Sequence, residues 1–287
     1  MEGIEMQTIG SIINQSMSKE LDSKLDKVCS KCGEPLYKDI NILGTMRRVP
    51  KMCRCMKEAY EQERIKQANI DKQINIQRLI KNSLMDGKFK SSTFENWNHE
   101  KGNKQMYELG LRYANKFLEA KKEGLGLMIY GEPGNGKTYL VSAIANKLIE
   151  SQIPVICVNI EGLLSRIRET YSKWGKEAES DIIRGLQNAD LLIIDDLGTE
   201  QINEWSQAKI YNIIDGRYRQ GLPLVITSNL DIKAGQKNGL LAERYGYRTE
   251  DRIFEMCTPI LNRGKSIRIE QAKRNTDRIR DILYKED

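Results

Sequence analysis

Residues Gly131–Thr138 read GEPGNGKT, a G-x-x-x-x-G-K-T stretch, the spacing of a loop that wraps phosphate. Leu125–Tyr130 (LGLMIY) before it is a short apolar run, as a buried parallel strand requires. Lys137–Glu150 (KTYLVSAIANKLIE) after it sets Leu140, Ile144 and Leu148 at helical spacing. Strand, glycine loop and helix together give the motif a mechanism. Gly131, Gly134 and Gly136 let backbone N–H groups converge on phosphate oxygens, where side chains would block the approach. The helix N-terminus adds partial positive charge. Lys137 is expected to reach the β- and γ-phosphates, and the Thr138 hydroxyl to help hold Mg²⁺. Glu132, Pro133, Asn135 and Tyr139 complete the expected ATP contact at 131–139.

A second signal lies downstream. Leu191–Ile194 is apolar and ends in Asp195-Asp196-Leu197-Gly198. Such a strand delivers a carboxylate to the sheet edge that carries the phosphate loop. Asp195 is expected to hold Mg²⁺ and Asp196 to orient or deprotonate the attacking water. Pro154–Ile160 and Pro223–Ser228 read as further strands, the latter ending at Asn229, a candidate sensor of the γ-phosphate or an ordinary turn residue. Helices are expected at Gly102–Lys122 (Tyr107, Leu111, Ala114 and Leu118 inward), Glu161–Gln187, Trp205–Gln220 (Ile210, Ile213 and Ile214 inward) and 240–256. Ser266–Ile269 (SIRI) reads as a last short strand and the tail from Glu270 as a polar helix. Alternating strands and helices predict an α/β fold, a parallel sheet flanked by helices.

Towards the N-terminus the chemistry changes. Cys29-x-x-Cys32 and Cys53-x-Cys55 are two close thiol pairs, the donor set of a tetrahedral, structural Zn²⁺ site. Gly33 after the second thiol suits a tight turn. Cys157 and Cys257 stand alone in apolar segments and are expected in the core. Arg47, Arg48, Lys51, Arg54 and Lys57 form a basic cluster suited to phosphates, to an acidic protein face or to solvent. Residues 56–85 lack Gly and Pro and read as a long polar helix. The expected organisation is a zinc module at 1–55, a helical linker at 56–87 and a nucleotide-binding domain at 88–287.

The net charge of +6 in 287 residues permits nucleic-acid binding without requiring it. No apolar run approaches the ~20 residues of a membrane span, and MEGIEMQTIG lacks the pattern of a secretory signal. A cytoplasmic protein without membrane association is expected. The single histidine, His99, argues against His-based catalysis.

The order of motifs resembles the DnaC/DnaI-like replicative helicase loaders, which are AAA+ ATPases, and more loosely the IstB-type transposition helpers. The matching residues are TFENW (Thr93–Trp97), GEPGNGKT, LLIIDDLG (Leu191–Gly198), PLVITSNL (Pro223–Leu230), AER (Ala242–Arg244), DRI (Asp251–Ile253) and GKSIR (Gly264–Arg268). The resemblance covers about residues 88–270. It implies an ATPase that loads a DnaB-type helicase onto single-stranded DNA and docks on the helicase through its cysteine module. It implies Asn229 as sensor 1, Arg268 as sensor 2 and Arg252 as an arginine finger acting in trans within an ATP-dependent oligomer, with Arg244 and Arg248 as the other candidates for the finger. Two departures stand out. Asp196 occupies a position where many AAA+ proteins have Glu, and the small helical lid is absent or reduced. Loaders of this type grip single-stranded DNA. Candidate contacts lie in Arg166–Lys176: Tyr171 and Trp174 for bases, and Arg166, Arg168, Lys173 and Lys176 for phosphates, unless this helix packs its aromatics on the core. The alternatives are a transposition helper on duplex DNA and an adaptor that uses ATP only for assembly.

Overall fold

The computed structural model describes residues 28–79, 87–172, 176–232 and 239–284. The chain divides into two compact units, Met1–Ile65 and Lys66–Asp287. The boundary lies inside the 56–87 segment read as a linker.

In the first unit, strands β1 (Tyr37–Ile42) and β2 (Thr45–Pro50) pair as an antiparallel hairpin. Helix α1 (Arg54–Leu79) begins in this unit and ends in the second. Its composition explains it: a run of Glu, Gln, Lys and Arg without Gly or Pro favours helix.

The second unit is built on a five-stranded, all-parallel sheet in the order β4-β5-β6-β3-β7. Its strands are β3 (Gly126–Tyr130), β4 (Val155–Asn159), β5 (Leu191–Leu197), β6 (Leu224–Ser228) and β7 (Cys257–Leu261). Strand alternation sends successive side chains to opposite faces. Met128, Ile156, Val158, Leu192, Ile194 and Ile226 fill one face. Helices α6 (Ile160–Ser172), α7 (Lys176–Asn188) and α8 (Glu204–Arg219) cover it, with α9 (Leu240–Tyr245) and α10 (Tyr247–Met256). Leu127, Ile129, Cys157, Leu191, Ile193 and Val225 fill the other face, under the short α2 (Gly87–Ser91), α3 (Lys104–Asn115) and α5 (Lys137–Glu150). Phe94 and Trp97 of the TFENW stretch are buried in that second cluster. Cys157 and Cys257 are both core residues. At the β4 edge, Gln73 of α1 imitates a neighbouring strand. Its amide donates to the Val155 carbonyl at 3.0 Å and accepts the Val155 N–H at 2.9 Å.

Five expectations are corrected, the first being the 240–256 helix, which breaks at Gly246 into α9 and α10. The 102–122 helix breaks at Lys116 into α3 and α4 (Phe117–Lys122). The break shifts the helical phase, so Phe117 is buried and Leu118 is exposed. The 161–187 helix is two helices, α6 and α7. Ser266–Ile269 is no strand, because helix α11 (Ile267–Tyr284) starts there. The missing strand is β7, which follows α10 without a turn and tolerates Pro259 because it lies at a sheet edge.

β5, β6 and β3 are adjacent, so their C-terminal ends bring the acids, Asn229 and the phosphate loop to one edge. Parallel α/β sheets bind ligands at such an edge.

Candidate functional site

The phosphate loop runs from the end of β3 to the start of α5. Gly136 caps α5 with φ +90°, a left-handed conformation that a side chain would strain, and its carbonyl accepts the first helical bond from Leu140 at 3.0 Å. Lys137 is 4% exposed. Its ammonium donates to the carbonyls of Gly131 and Glu132, both at 2.8 Å, and to Asn135 Oδ1 at 3.2 Å. These bonds hold the cation beneath the loop. Burial lowers its pKa, and Asp196 and Asp195 oppose that shift. A phosphate oxygen is a stronger acceptor than a carbonyl, so the same cation is available to a nucleotide.

Asp195 is buried at the end of β5. Burial raises its carboxyl to about 6, against hydrogen bonds from Thr227 and Thr138 that favour the anion. Thr138 and Asp195, the two residues expected to hold Mg²⁺, are thus in contact. Asp196 has φ +57° at a bulge in the β5–β6 pairing. This turn presents Asp196 to a cavity of about 240 Å³ that the phosphate loop, Asn229, Ile267 and Arg268 also line. The donor set fits a hard divalent cation: one hydroxyl and adjacent carboxylates beside a phosphate site. Seven residues of the expected 131–139 contact, Pro133 to Tyr139, line the cavity themselves. Gly131 and Glu132 stand behind, as the carbonyls that hold Lys137.

Sequence reasoning missed three parts of this site. Thr227 joins the two acids: its hydroxyl donates to Asp195 Oδ1 at 2.6 Å and accepts the Asp196 N–H at 2.8 Å. Asn262 and Asn135 exchange side-chain-to-carbonyl bonds at 3.0 and 2.9 Å, which clasps the loop to the segment after β7. The Ile267 N–H then donates to the Gly134 carbonyl at 2.9 Å, setting Arg268 at the cavity. Glu200 is buried behind the acidic turn. It accepts the Gly198 N–H at 2.9 Å and the Tyr245 hydroxyl, and its carbonyl accepts Arg244 Nη2 at 2.8 Å. The signal for Thr227 was within reach, since it and Ser228 are hydroxyls closing an apolar strand.

Other expected residues lie elsewhere. Arg252 is not among the cavity's lining residues. It sits on α10 over the Tyr218 ring at 3.9 Å, with Glu255 at 3.4 Å and Asp215 at 3.6 Å. Arg248 is exposed. In the DNA-contact stretch, Arg166 pairs with Glu169 at 3.0 Å. Arg168 and Tyr171 gather on Trp205: the guanidinium lies 4.7 Å from the Trp205 ring, and Trp205 Nε1 donates to the Tyr171 hydroxyl at 3.2 Å. Tyr171 remains 58% exposed. Lys176 opens α7. Lys173 and Trp174 lie outside the described residues.

In the first unit the four thiols converge. Cys29, Cys32, Cys53 and Cys55 lie within 4.8 Å of one another, and Cys55 Sγ is 3.4, 3.6 and 3.3 Å from the sulfurs of Cys29, Cys32 and Cys53. A thiolate tetrahedron with ~2.3 Å metal–sulfur bonds has edges of about 3.8 Å. The Gly33 N–H closes a turn onto the Cys29 carbonyl at 2.8 Å. Backbone N–H groups of Cys32 and Lys31 pull the Cys29 thiol down to about 6. Sulfur chemistry and spacing both fit a zinc-sized ion.

Fold and site together define a P-loop nucleotide-binding protein of AAA+ architecture. The chain belongs to the family described as IstB-like ATP binding protein, whose profile matches residues 62–275. It is 31% identical over 189 residues to the replicative helicase loader DnaC of Buchnera aphidicola subsp. Schizaphis graminum, covering 64% of this chain and 74% of that protein. It is 26% identical to DnaC of Escherichia coli K12 over the same shares. A crystal structure of the DnaC helicase loader superposes with a TM-score of 0.50 at 21% identity, over 62% of this chain and all of that one. The replication initiator DnaA bound to AMPPCP and single-stranded DNA gives 0.50 at 21% identity, over 68% of this chain and 56% of that one. Among the described residues, no helix is long and apolar enough to cross a membrane.

Proposed function

We propose that this protein is a cytoplasmic, ATP-dependent loader of a DnaB-type replicative helicase onto single-stranded DNA. One observation carries the reading. Phosphate loop, acidic strand end, Asn229 and Arg268 share one cavity in a chain matching a helicase loader over 74% of that loader's length.

In this reading the loop N–H groups and Lys137 hold the ATP phosphates. Thr138 and Asp195 hold Mg²⁺, which when bound offsets phosphate charge. Asp196 orients the attacking water. Its carboxylate is one methylene shorter than Glu, which favours slow turnover and a switch-like role. Asn229 and Arg268 contact the γ-phosphate from β6 and α11. Arg252 acts on the ATP of a neighbouring copy, so hydrolysis requires assembly. The four cysteines hold structural zinc in the module that docks on the helicase. Arg166, Arg168, Tyr171, Lys173, Trp174 and Lys176 contact single-stranded DNA, and Trp205 joins them through Tyr171.

The test uses the full chain, a DnaB-type hexamer and closed circular single-stranded DNA. ATP-dependent transfer of the hexamer to the circle is expected, and Lys137→Ala should abolish it together with hydrolysis. A protein that hydrolyses ATP but transfers no helicase would end the loader reading. The family's IstB-like description supports a second reading, a transposition helper on duplex DNA. ATP-dependent filaments on duplex DNA without helicase binding would favour it.

A further inference from the structure

The β1–β2 hairpin turns through Leu43 and Gly44, both at positive φ, +51° and +82°, between the paired residues Ile42 and Thr45. Positive φ at both central positions makes a type I′ turn, where Asn-Gly or Asp-Gly is favoured. A bulky aliphatic residue is a poor occupant of the first position. Leu43 packs against nothing that would compensate, being 100% exposed. Neither local conformational preference nor burial accounts for leucine at this site. Strain at an exposed apolar residue points to a role outside the chain.

The surroundings of Leu43 say what kind of partner fits. Ile42 and Met46 are 42% and 65% exposed. Ile42 pairs across the hairpin with Thr45 and Met46 with Asn41, so the two lie on opposite faces. The tip is therefore apolar on both sides and at its end. Ile42 to Met46 carry no charge, while Lys38, Arg47 and Arg48 stand behind on the strands, with Lys51 just past β2. Arg48 pairs with Asp39 at 3.1 Å. Among the described residues, Lys38, Arg47 and Lys51 have no ion pair. Nucleic acid is bound by cations presented to its phosphates, and it would gain nothing from a leading leucine that holds the cations back. A bilayer would gain in proportion to buried apolar area, and three side chains supply little.

We infer that the hairpin tip is a docking plug: Leu43, with Ile42 and Met46, enters an apolar pocket on a protein partner, and the cations behind it meet a carboxylate rim. Resting on the loader reading, the inference takes the helicase as that partner. Pocket filling supplies affinity, and the rim charges set association rate and salt dependence.

The test compares full-length wild type, Leu43→Asn and Arg47→Glu for binding to the DnaB-type hexamer in ATP. Leu43→Asn installs the residue the turn prefers, so folding, metal content and ATP hydrolysis should be kept or improved. Helicase affinity should nevertheless fall by about tenfold or more. Arg47→Glu should slow association and flatten its salt dependence. Wild-type helicase affinity in Leu43→Asn would overturn the plug while leaving the loader reading intact. Failure of the wild type to bind would sink the loader reading, and the plug with it. A Leu43→Asn defect confined to binding of single-stranded DNA or phosphatidylglycerol vesicles would also overturn it.

Discussion

The two units of this chain are held together by different forces. In Lys66–Asp287, apolar side chains fill both faces of a five-stranded sheet. Among the described residues of Met1–Ile65, the sole buried apolar residue is Cys53, itself one of the four clustered thiols. A two-stranded hairpin with so little burial is marginal in water. The clustered thiols are the means of closure this unit offers, and small folds of this kind are commonly closed by a metal. Apolar area holds one unit, and metal coordination is expected to hold the other, so each can be broken alone.

The largest effect expected is on the first unit. Chelation, or Cys29→Ser, should release zinc and unfold the hairpin, because structural zinc contributes on the order of 10 kcal/mol in small modules. The main thermal transition and ATP binding of the second unit should persist. Metal analysis with hydrogen exchange over 28–56 would check this. A metal-free wild type protected in that segment would refute the coordination argument.

Through Asp195, acid should act on the second unit with opposite signs on fold and activity. Burial raises Asp195 from 3.8 to about 6. A raised carboxyl pKa means the folded state binds the proton more tightly, so this group's contribution to stability grows as pH falls from about 6 towards 4. Activity moves the other way. Below about 6 the neutral carboxyl no longer holds Mg²⁺, and turnover should fall about tenfold per pH unit. A pH–rate profile at fixed Mg²⁺, beside thermal melts of wild type and Asp195→Asn across pH, reads both. Turnover flat from pH 7 to 5 would mean that Asp195 stays ionised in the complex.

Thr227 gives a smaller effect of the same kind. Thr227→Val keeps the shape but removes the hydroxyl that joins Asp195 to the Asp196 N–H. A hydrogen bond to a charged group is worth about 1.5–3 kcal/mol, so kcat should fall about ten- to hundredfold with nucleotide affinity little changed. Thr227→Ser should restore most of it. Equal turnover in Val and wild type would show that the acids need no bridge.

Motif contiguity decided how much of this was legible in the sequence. Gly131–Thr138 and Leu191–Gly198 are local signals, and adjacent parallel strands carry them to one edge as expected. Thr227, Asn262 and Glu200 bond residues 32, 127 and two positions away, or pack on elements brought near by topology. A hydroxyl in the Leu224–Ser228 strand marked Thr227 as unusual, but no local pattern names the partner that any of these side chains bonds. The phase error at Leu118 arose because one non-helical residue, Lys116, rotates everything after it. β7 was hidden because it continues from α10 without a breaker and contains proline. The cysteine pairs were legible as one cluster of thiols, but the hairpin between them was not, since Leu43 occupies a turn position where Asn would have announced it.

Glu200 tests the finest distinction, between holding the acidic turn and merely filling space behind it. Its two carboxylate oxygens accept from the Gly198 N–H and the Tyr245 hydroxyl. Burial pushes the Tyr245 phenol up, so it stays a neutral donor. Glu200→Gln keeps one acceptor for Gly198 and offers an amide N–H to the phenol oxygen, which can turn to accept it. That variant should be nearly neutral. Glu200→Ala leaves a backbone N–H and the Tyr245 O–H without their acceptor behind the turn, costing about 1–3 kcal/mol of stability. Its kcat should drop severalfold as Asp196 loosens, with KM little changed because the phosphate loop is untouched. Thermal melts and steady-state kinetics of the two variants separate the cases. If Ala matched Gln in both, Asp196 would owe its position to Thr227 alone.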